Sequence, residues 1–233
     1  EDDIQLPNSG FEDWYTDSDG LPKPAKDASS SFWDCGNVNY FGKHIMTTQN
    51  DETALGQGSS VKMETQETMK IIAAGNIFTG TFERDGMGGI LTLGRNFECR
   101  PNKLKGYYKY TSAKVSVSKG HLNEGEDDLC SLYIALTDEQ ITVNTNKGIY
   151  FDPNSSAVIA YGSISDEESK GADSFKEFTV DLEYKDLKRI PKYIIVVASS
   201  SKYGDYMEGG KGSTMWLDDL ELVYPKSMEE VRK

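Results

Sequence analysis

Along most of this chain, apolar residues recur at every second position in short stretches. Val61 and Met63 alternate with Lys62 and Glu64. Residues 105–117 set Tyr108, Tyr110 and Ser112 on one parity against Tyr107, Lys109 and Thr111 on the other. Side chains of a strand point by turns to its two faces, so this period belongs to half-buried β-structure and not to a helix. Segments 77–82, 90–93, 129–136, 158–164, 175–182, 193–198 and 215–224 also read as strands, β-branched or aromatic, with Gly, Asn and Asp between them. Many short strands divided by turn residues predict a sandwich or a barrel. Segment 69–74 is too short for its period to separate helix from strand. Helices are expected only at 184–189, ahead of Pro191, and in the tail 227–233. There is no internal repeat. A length of 233 residues suits one domain, 1–233, with 226–233 a short charged tail.

Charge narrows the partners. The chain carries 25 basic and 38 acidic residues, a net charge of −13. Such a surface repels nucleic-acid phosphates and anionic headgroups, and it tolerates neutral glycans and cations. No nucleic-acid partner is expected. The longest apolar run, 193–198, is too short for a transmembrane segment. The first residue is Glu1, not Met, so the chain reads as a mature form lacking a leader or upstream region. Cys35, Cys99 and Cys130 cannot form a closed disulfide set and contain no CxxC, so they are expected as small buried residues.

Three constellations could carry chemistry. The first joins the chain ends. Residues 8–14 open the domain and 215–224 close it, and terminal strands of a sandwich are often neighbours. Asp218 shares the parity of Leu220, Leu222 and Tyr224, so its carboxylate is expected to point inward, where it needs hydrogen bonds, a cation or a proton. Glu12 could meet it, and two carboxylates with loop carbonyls would suit Ca²⁺. Hydrogen bonds from backbone N–H groups or a lysine would serve as well. The second is the loop 199–214, which mixes Tyr203, Asp205, Tyr206 and Lys211 with glycines. It reads either as a ligand-contacting loop or as a long hairpin connection. Its Gly209–Thr214 run is no phosphate loop, because Gly212 follows Lys211 and a strand stands where a helix should. The third is the set of loop aromatics Trp14, Trp33, Tyr40, Phe41, Tyr203 and Tyr206. Flat aromatic faces accept the C–H patches of sugars while carboxylates and amides take the hydroxyls. The candidate ligand set is Trp33, Tyr40, Tyr203, Asp205, Tyr206 and Lys211; the candidate metal set is Glu12 and Asp218.

Catalytic signatures are sparse. His44 and His121 stand apart from any nucleophile motif, and neither GxSxG nor HExxH occurs. A glycosidase needs two carboxylates roughly 5 to 9 Å apart. Glu83, Glu98, Asp138 and Glu183 are arithmetically possible members, and nothing in the sequence selects among them.

Several stretches together resemble the bacterial family called the putative carbohydrate metabolism domain. They are residues 8–14, 77–80, 93–95, 100–110, Pro191 and the run 196–206 with 212–214, whose Ser-Ser-Lys-Tyr-Gly-Asp-Tyr and Tyr-rich parts are the most specific. The resemblance implies an antiparallel β-sandwich of jelly-roll type with minor helices, similar to carbohydrate-binding modules, in exported or lipid-anchored proteins. The ends also resemble the GFE…DD pattern of calcium-bearing modules, which implies a structural Ca²⁺ held by Glu12 and Asp218. No catalytic residue carries over. The expectation is an extracytoplasmic module, periplasmic or at the cell surface, that recognises oligo- or polysaccharide on aromatic loops. A xylanase-like glycoside hydrolase and an adhesin-like interaction domain are the alternatives.

Overall fold

The structure, a computed structural model, describes residues 3–227. Two antiparallel sheets face each other. The first has five strands, in the order Ala172–Asp181, Lys103–Thr111, Thr214–Val223, Ser60–Glu64 and Thr47–Asn50. The second has nine. Its path runs Ile141–Asn144, Gly88–Leu93, Asn76–Asp85, Tyr193–Ser199, Ser131–Thr137, Val158–Ser163 and Glu183–Tyr184. Arg95–Asn96 also joins Tyr193–Ser199, and Trp33–Asp34 joins Asn76–Asp85. Most neighbours within each sheet come from distant parts of the chain, the crossing pattern of a jelly-roll sandwich. The ends meet: the Gln5 side chain bonds the backbone of Leu222 in both directions, at 2.8 and 2.7 Å.

The main core lies between the sheets and includes Met63, Leu104, Tyr108, Leu132, Ile134, Val196, Met215 and Leu222. A second apolar cluster covers the outer face of the nine-stranded sheet, with Phe78, Leu91, Leu93, Ala135, Val143 and Ile195. Strand Tyr193–Ser199 alternates between them, Ile194 and Val196 inward, Ile195 and Val197 outward. A strand covered on both sides reads as continuous apolar sequence, which is why 193–198 loses its alternation.

The expected helix at 184–189 does not form. Glu183–Tyr184 is an edge strand on Val158–Ser163. Beyond it, the Asp186 carboxylate accepts the N–H groups of Lys188 and Arg189 at 2.7 and 3.1 Å, a side-chain turn that competes with helical bonding. Among the described residues the helices are single turns: Ala28–Ser30, Thr145–Lys147, Asp166–Ser169 and Gly204–Tyr206. Most of the tail expectation lies outside the described residues. Segment 69–74 resolves into a hairpin, with Met69 and Lys70 as its two-residue turn and Ile71–Ala73 as its second strand. Strands Thr47–Asn50 and Ile141–Asn144 went unread because each is four residues long and mostly polar. Cys35 and Cys130 are buried and Cys99 is half-buried, all as free thiols. Burial pushes the Cys35 and Cys130 thiols up to about 12, which leaves them unreactive at neutral pH.

The closing strand corrects the expected parity. Between Lys105 and Tyr107 its register shifts, so that Glu221 opposes Lys105 while Asp218 opposes Tyr107. Asp219 sits in this bulge with φ +49°. Met215 and Leu217 face the core before the bulge, Leu220 and Leu222 after it. Asp218 therefore shares the parity of Trp216, whose ring lies under Lys109 at 4.4 Å. Asp218 is still only 1% exposed. The cause is the segment 51–58, which folds over it and donates the Ala54 N–H to Oδ2 at 3.0 Å.

Candidate functional site

The outward side chains of the nine-stranded sheet line a groove with two lobes. The larger has a volume of about 450 Å³ and the smaller about 260 Å³. Ser131, Tyr133, Lys202 and Asp205 belong to both. Tyr133 rises from Ser131–Thr137 and Tyr161 from the adjacent strand, and Phe151 stacks on Tyr133 with centroids 4.8 Å apart at 21°. Tyr206 stacks on Tyr150 at 3.9 Å. Tyr203 stacks on His121 at 4.3 Å, and the His121 Nδ1 meets the buried Glu208 carboxylate at 2.7 Å. The smaller lobe is thus walled by aromatic rings.

The loop 199–214 delivers five of these groups, Lys202, Tyr203, Asp205, Tyr206 and Glu208. Its flanks are pinned by Asp128, which is fully buried. One Asp128 oxygen, Oδ2, accepts from Ser201 Oγ at 2.7 Å, Ser213 Oγ at 2.8 Å and Gly210 N–H at 2.9 Å. Its other oxygen accepts the Leu129 N–H at 2.9 Å. Tyr110 O–H donates to the Ser200 carbonyl at 2.9 Å, and Thr65 Oγ1 lies 2.7 and 2.6 Å from the hydroxyls of Ser200 and Ser201. With both flanks tied down, the turn at Gly204–Tyr206 is held against the groove. Gly204 is required there, since a Cβ would lie 2.5 Å from that of Ala74.

Asp205 stands where the lobes meet. Among the described residues no group donates a hydrogen bond to its carboxylate, and burial alone pushes it up to about 6. An under-solvated acceptor facing a cavity has room for a hydrogen-bond donor.

The structure sorts the sequence candidates. Tyr40, Tyr203, Asp205 and Tyr206 line the groove. Trp33 does not. It is 1% exposed, packs edge-on to Phe11 at 5.2 Å and donates its Nε1–H to the Pro7 carbonyl at 2.8 Å. Its short strand extends the sheet at Asn76–Asp85 and turns the ring into the main core. Lys211 lines neither lobe: its backbone N–H bonds Ser116 Oγ at 3.1 Å and its side chain is exposed. None of Glu83, Glu98, Asp138 and Glu183 lines the groove, and Asp138 is paired with Arg189 at 2.9 Å. Tyr133, Tyr150, Phe151, Tyr161 and His121 were missed. The parity of Tyr133 and Tyr161 opposite core residues was the available signal; the other three are brought in only by loop packing.

Glu12 and Asp218 are brought to one end of the sandwich with Asp219. Glu12 Oε2 accepts the Ser59 N–H at 2.8 Å. Asp218 Oδ1 is buried without a hydrogen-bond partner. Burial, with Asp219 and Glu12 nearby, pushes Asp218 up to about 6. Gly58, at φ +73°, lets Glu12 in, because a Cβ there would lie 2.3 Å from Oε1.

The architecture and the groove define an antiparallel jelly-roll β-sandwich with an aromatic-lined groove on one face. The chain belongs to the family described as "Putative carbohydrate metabolism domain", whose profile matches residues 9–223. Among solved structures it is similar to a "putative glycoside hydrolase" of Bacteroides vulgatus, with 21% identity and a TM-score of 0.67 over 94% of this chain and 97% of that one. It is also similar to a "putative glycoside hydrolase" of Bacteroides thetaiotaomicron, with 26% identity and a TM-score of 0.63 over 78% of this chain. The match spans 58% of the length of that second protein. A search of curated protein sequences returns no match.

Proposed function

We propose that this domain binds oligo- or polysaccharide in the two-lobed groove, outside the cytoplasm, as a non-catalytic module. The carrying observation is Asp205, an acceptor without donors set among tyrosine rings. Sugar hydroxyls would supply the donors and the rings would take the C–H faces. Tyr203 and Tyr206 form one wall, and Tyr133 with Phe151 the floor of the smaller lobe. The net charge of −13 suits a neutral glycan. Among the described residues no helix is long and apolar enough to cross a membrane. Affinity electrophoresis and calorimetry against a panel of soluble polysaccharides test the reading. At least one is expected to bind, with Tyr206→Ala weakening it by about tenfold. Silence across the panel, or binding indifferent to Tyr206, would sink it.

One observation favours hydrolysis as the second reading. Asp166, in the first turn of Asp166–Ser169, shares the smaller lobe with Asp205, whose raised protonation suits a general acid. Reducing-sugar release that disappears in both Asp205→Asn and Asp166→Asn would establish it over simple binding.

We also propose a structural Ca²⁺ at the chain ends, held by Glu12 and Asp218. The orphaned Asp218 Oδ1 and the gathering of Glu12, Asp218 and Asp219 are hard oxygen donors suited to it. Among the described residues no group of three or more His, Cys, Asp or Glu is already arranged around a metal position, so loop carbonyls would complete the shell. Calcium at about a hundred times its Kd would add about 2.7 kcal/mol, or roughly 5–10 °C in melting temperature, and chelator would remove it. Asp218→Asn separates the cases. With an ion it lowers the melting point; without one it raises it at neutral pH by deleting a buried charge.

A further inference from the structure

The larger lobe has a different chemistry from the smaller. Its floor is aliphatic, with Leu91, Leu93 and Val197, and among the described residues Asp205 is its only carboxylate. Its rim carries Phe41, Met69 and Met87, which are 94%, 85% and 57% exposed. Each stands at the tip of a separate hairpin. Phe41 lies between Val38–Asn39 and Lys43–His44, Met69 between Gln66–Thr68 and Ile71–Ala73, and Met87 between Asn76–Asp85 and Gly88–Leu93.

Two of these tips are held against conformational preference. Phe41 has φ +53° and Met69 φ +49°, followed by Lys70 at +68°. Left-handed backbone disfavours side chains with a full Cβ, and asparagine or glycine would fill such tight turns at lower energy. Exposed phenyl and thioether groups gain nothing from water. Strain and exposure together therefore serve an apolar ligand and not the stability of the free protein. A volume of 450 Å³ is that of a small-molecule site.

The lobes share Tyr133 and Asp205 in their linings, so a ligand reaching from one to the other would change from polar to apolar beside the Asp205 carboxylate. We infer that the larger lobe takes the alkyl or acyl chain of an amphipathic glycoside whose sugar lies in the smaller lobe. This rests on the glycan reading above and specifies its ligand class. A chain in ether or ester linkage brings no charge beside Asp205.

Matched octyl and methyl β-glycosides of glucose, galactose, mannose and xylose, with 1-octanol alone, are the probes, used in calorimetry below micelle-forming concentrations. At least one octyl glycoside is expected to bind on the order of tenfold tighter than its methyl partner, since each buried methylene adds favourable transfer. The double variant Met69→Asn/Met87→Gln should lose that gain and keep its affinity for the methyl glycoside. It should also fold, because Asn accepts the left-handed turn and Met87 is exposed. Equal binding of octyl and methyl partners overturns the inference and leaves the glycan site standing. Octanol binding as tightly as the octyl glycoside overturns it too, because the sugar would then add nothing. If neither glycosides nor polysaccharides bind, the glycan reading falls with it.

Discussion

Asp205→Asn is expected to make this protein more stable at neutral pH while abolishing most of its glycan affinity. In the folded chain burial holds the Asp205 carboxyl at about 6, and in the unfolded chain it titrates near ~3.9. Below about pH 4 both states are protonated, and the side chain adds no penalty to folding. As the pH rises through about 4 the unfolded state ionises freely while the folded state stays protonated, and above about 6 the folded state must hold a poorly solvated charge. Stability is therefore lost between about pH 4 and 6 and stays reduced above that window. Asparagine removes the charge. The variant should gain about 1–3 kcal/mol at pH 7.5, roughly 5 °C in melting temperature, and close to nothing at pH 4. Asp218 is shifted in the same direction, so part of the pH slope persists in the variant. In binding, the loss of charge-assisted bonds to sugar hydroxyls should weaken affinity by about 1.5–3 kcal/mol. Thermal melts of both proteins at the two pH values, with calorimetry on the ligand found, check each half. A variant destabilised at pH 7.5, or one that binds as before, contradicts the role given to Asp205.

Asp128→Ala should have the opposite character. This carboxylate is fully buried and accepts four hydrogen bonds from Ser201, Ser213, Gly210 and Leu129. Truncation strands those donors away from water and leaves a void. The expected loss is about 3–5 kcal/mol, or on the order of 10 °C. Asp128→Asn keeps an acceptor and the shape, so it should lose less. The effect is also local. Ser201, Gly210 and Ser213 flank the turn that presents Tyr203, Asp205 and Tyr206, so amide exchange across 200–213 should speed up and glycan affinity should fall well below the melting temperature. A loop that exchanges as slowly as in the parent protein would show that other contacts hold it.

Much of the sandwich was legible. Nine segments announced themselves by alternation or by β-branched and aromatic content, and each contains a strand. The failures are physical and particular. Asp186 captured the N–H groups that a helix at 184–189 needed. Trp33 and Tyr40 looked alike as loop aromatics. Pairing Trp33 with Thr79 sent one ring into the core, while Tyr40 stayed on the groove with Arg84 over it at 4.2 Å. The inward carboxylate expected at Asp218 is indeed buried, but by the segment 51–58 above it and not by the parity of its strand.

By itself the sequence determined what depends on neighbours a few residues away: strand-forming segments, their turns, an acidic surface, and a loop at 199–214 rich in ligand-capable groups. The family likeness added the topology. Only the tertiary structure decided which face of the second sheet became a groove, that Tyr133, Tyr150, Phe151 and Tyr161 share it with Tyr203 and Tyr206, and that Asp205 lacks donors. Those facts rest on register and on contacts between distant segments, such as the Gly75–Ser200 bond with a sequence separation of 125, for which alternation along a single strand carries no signal.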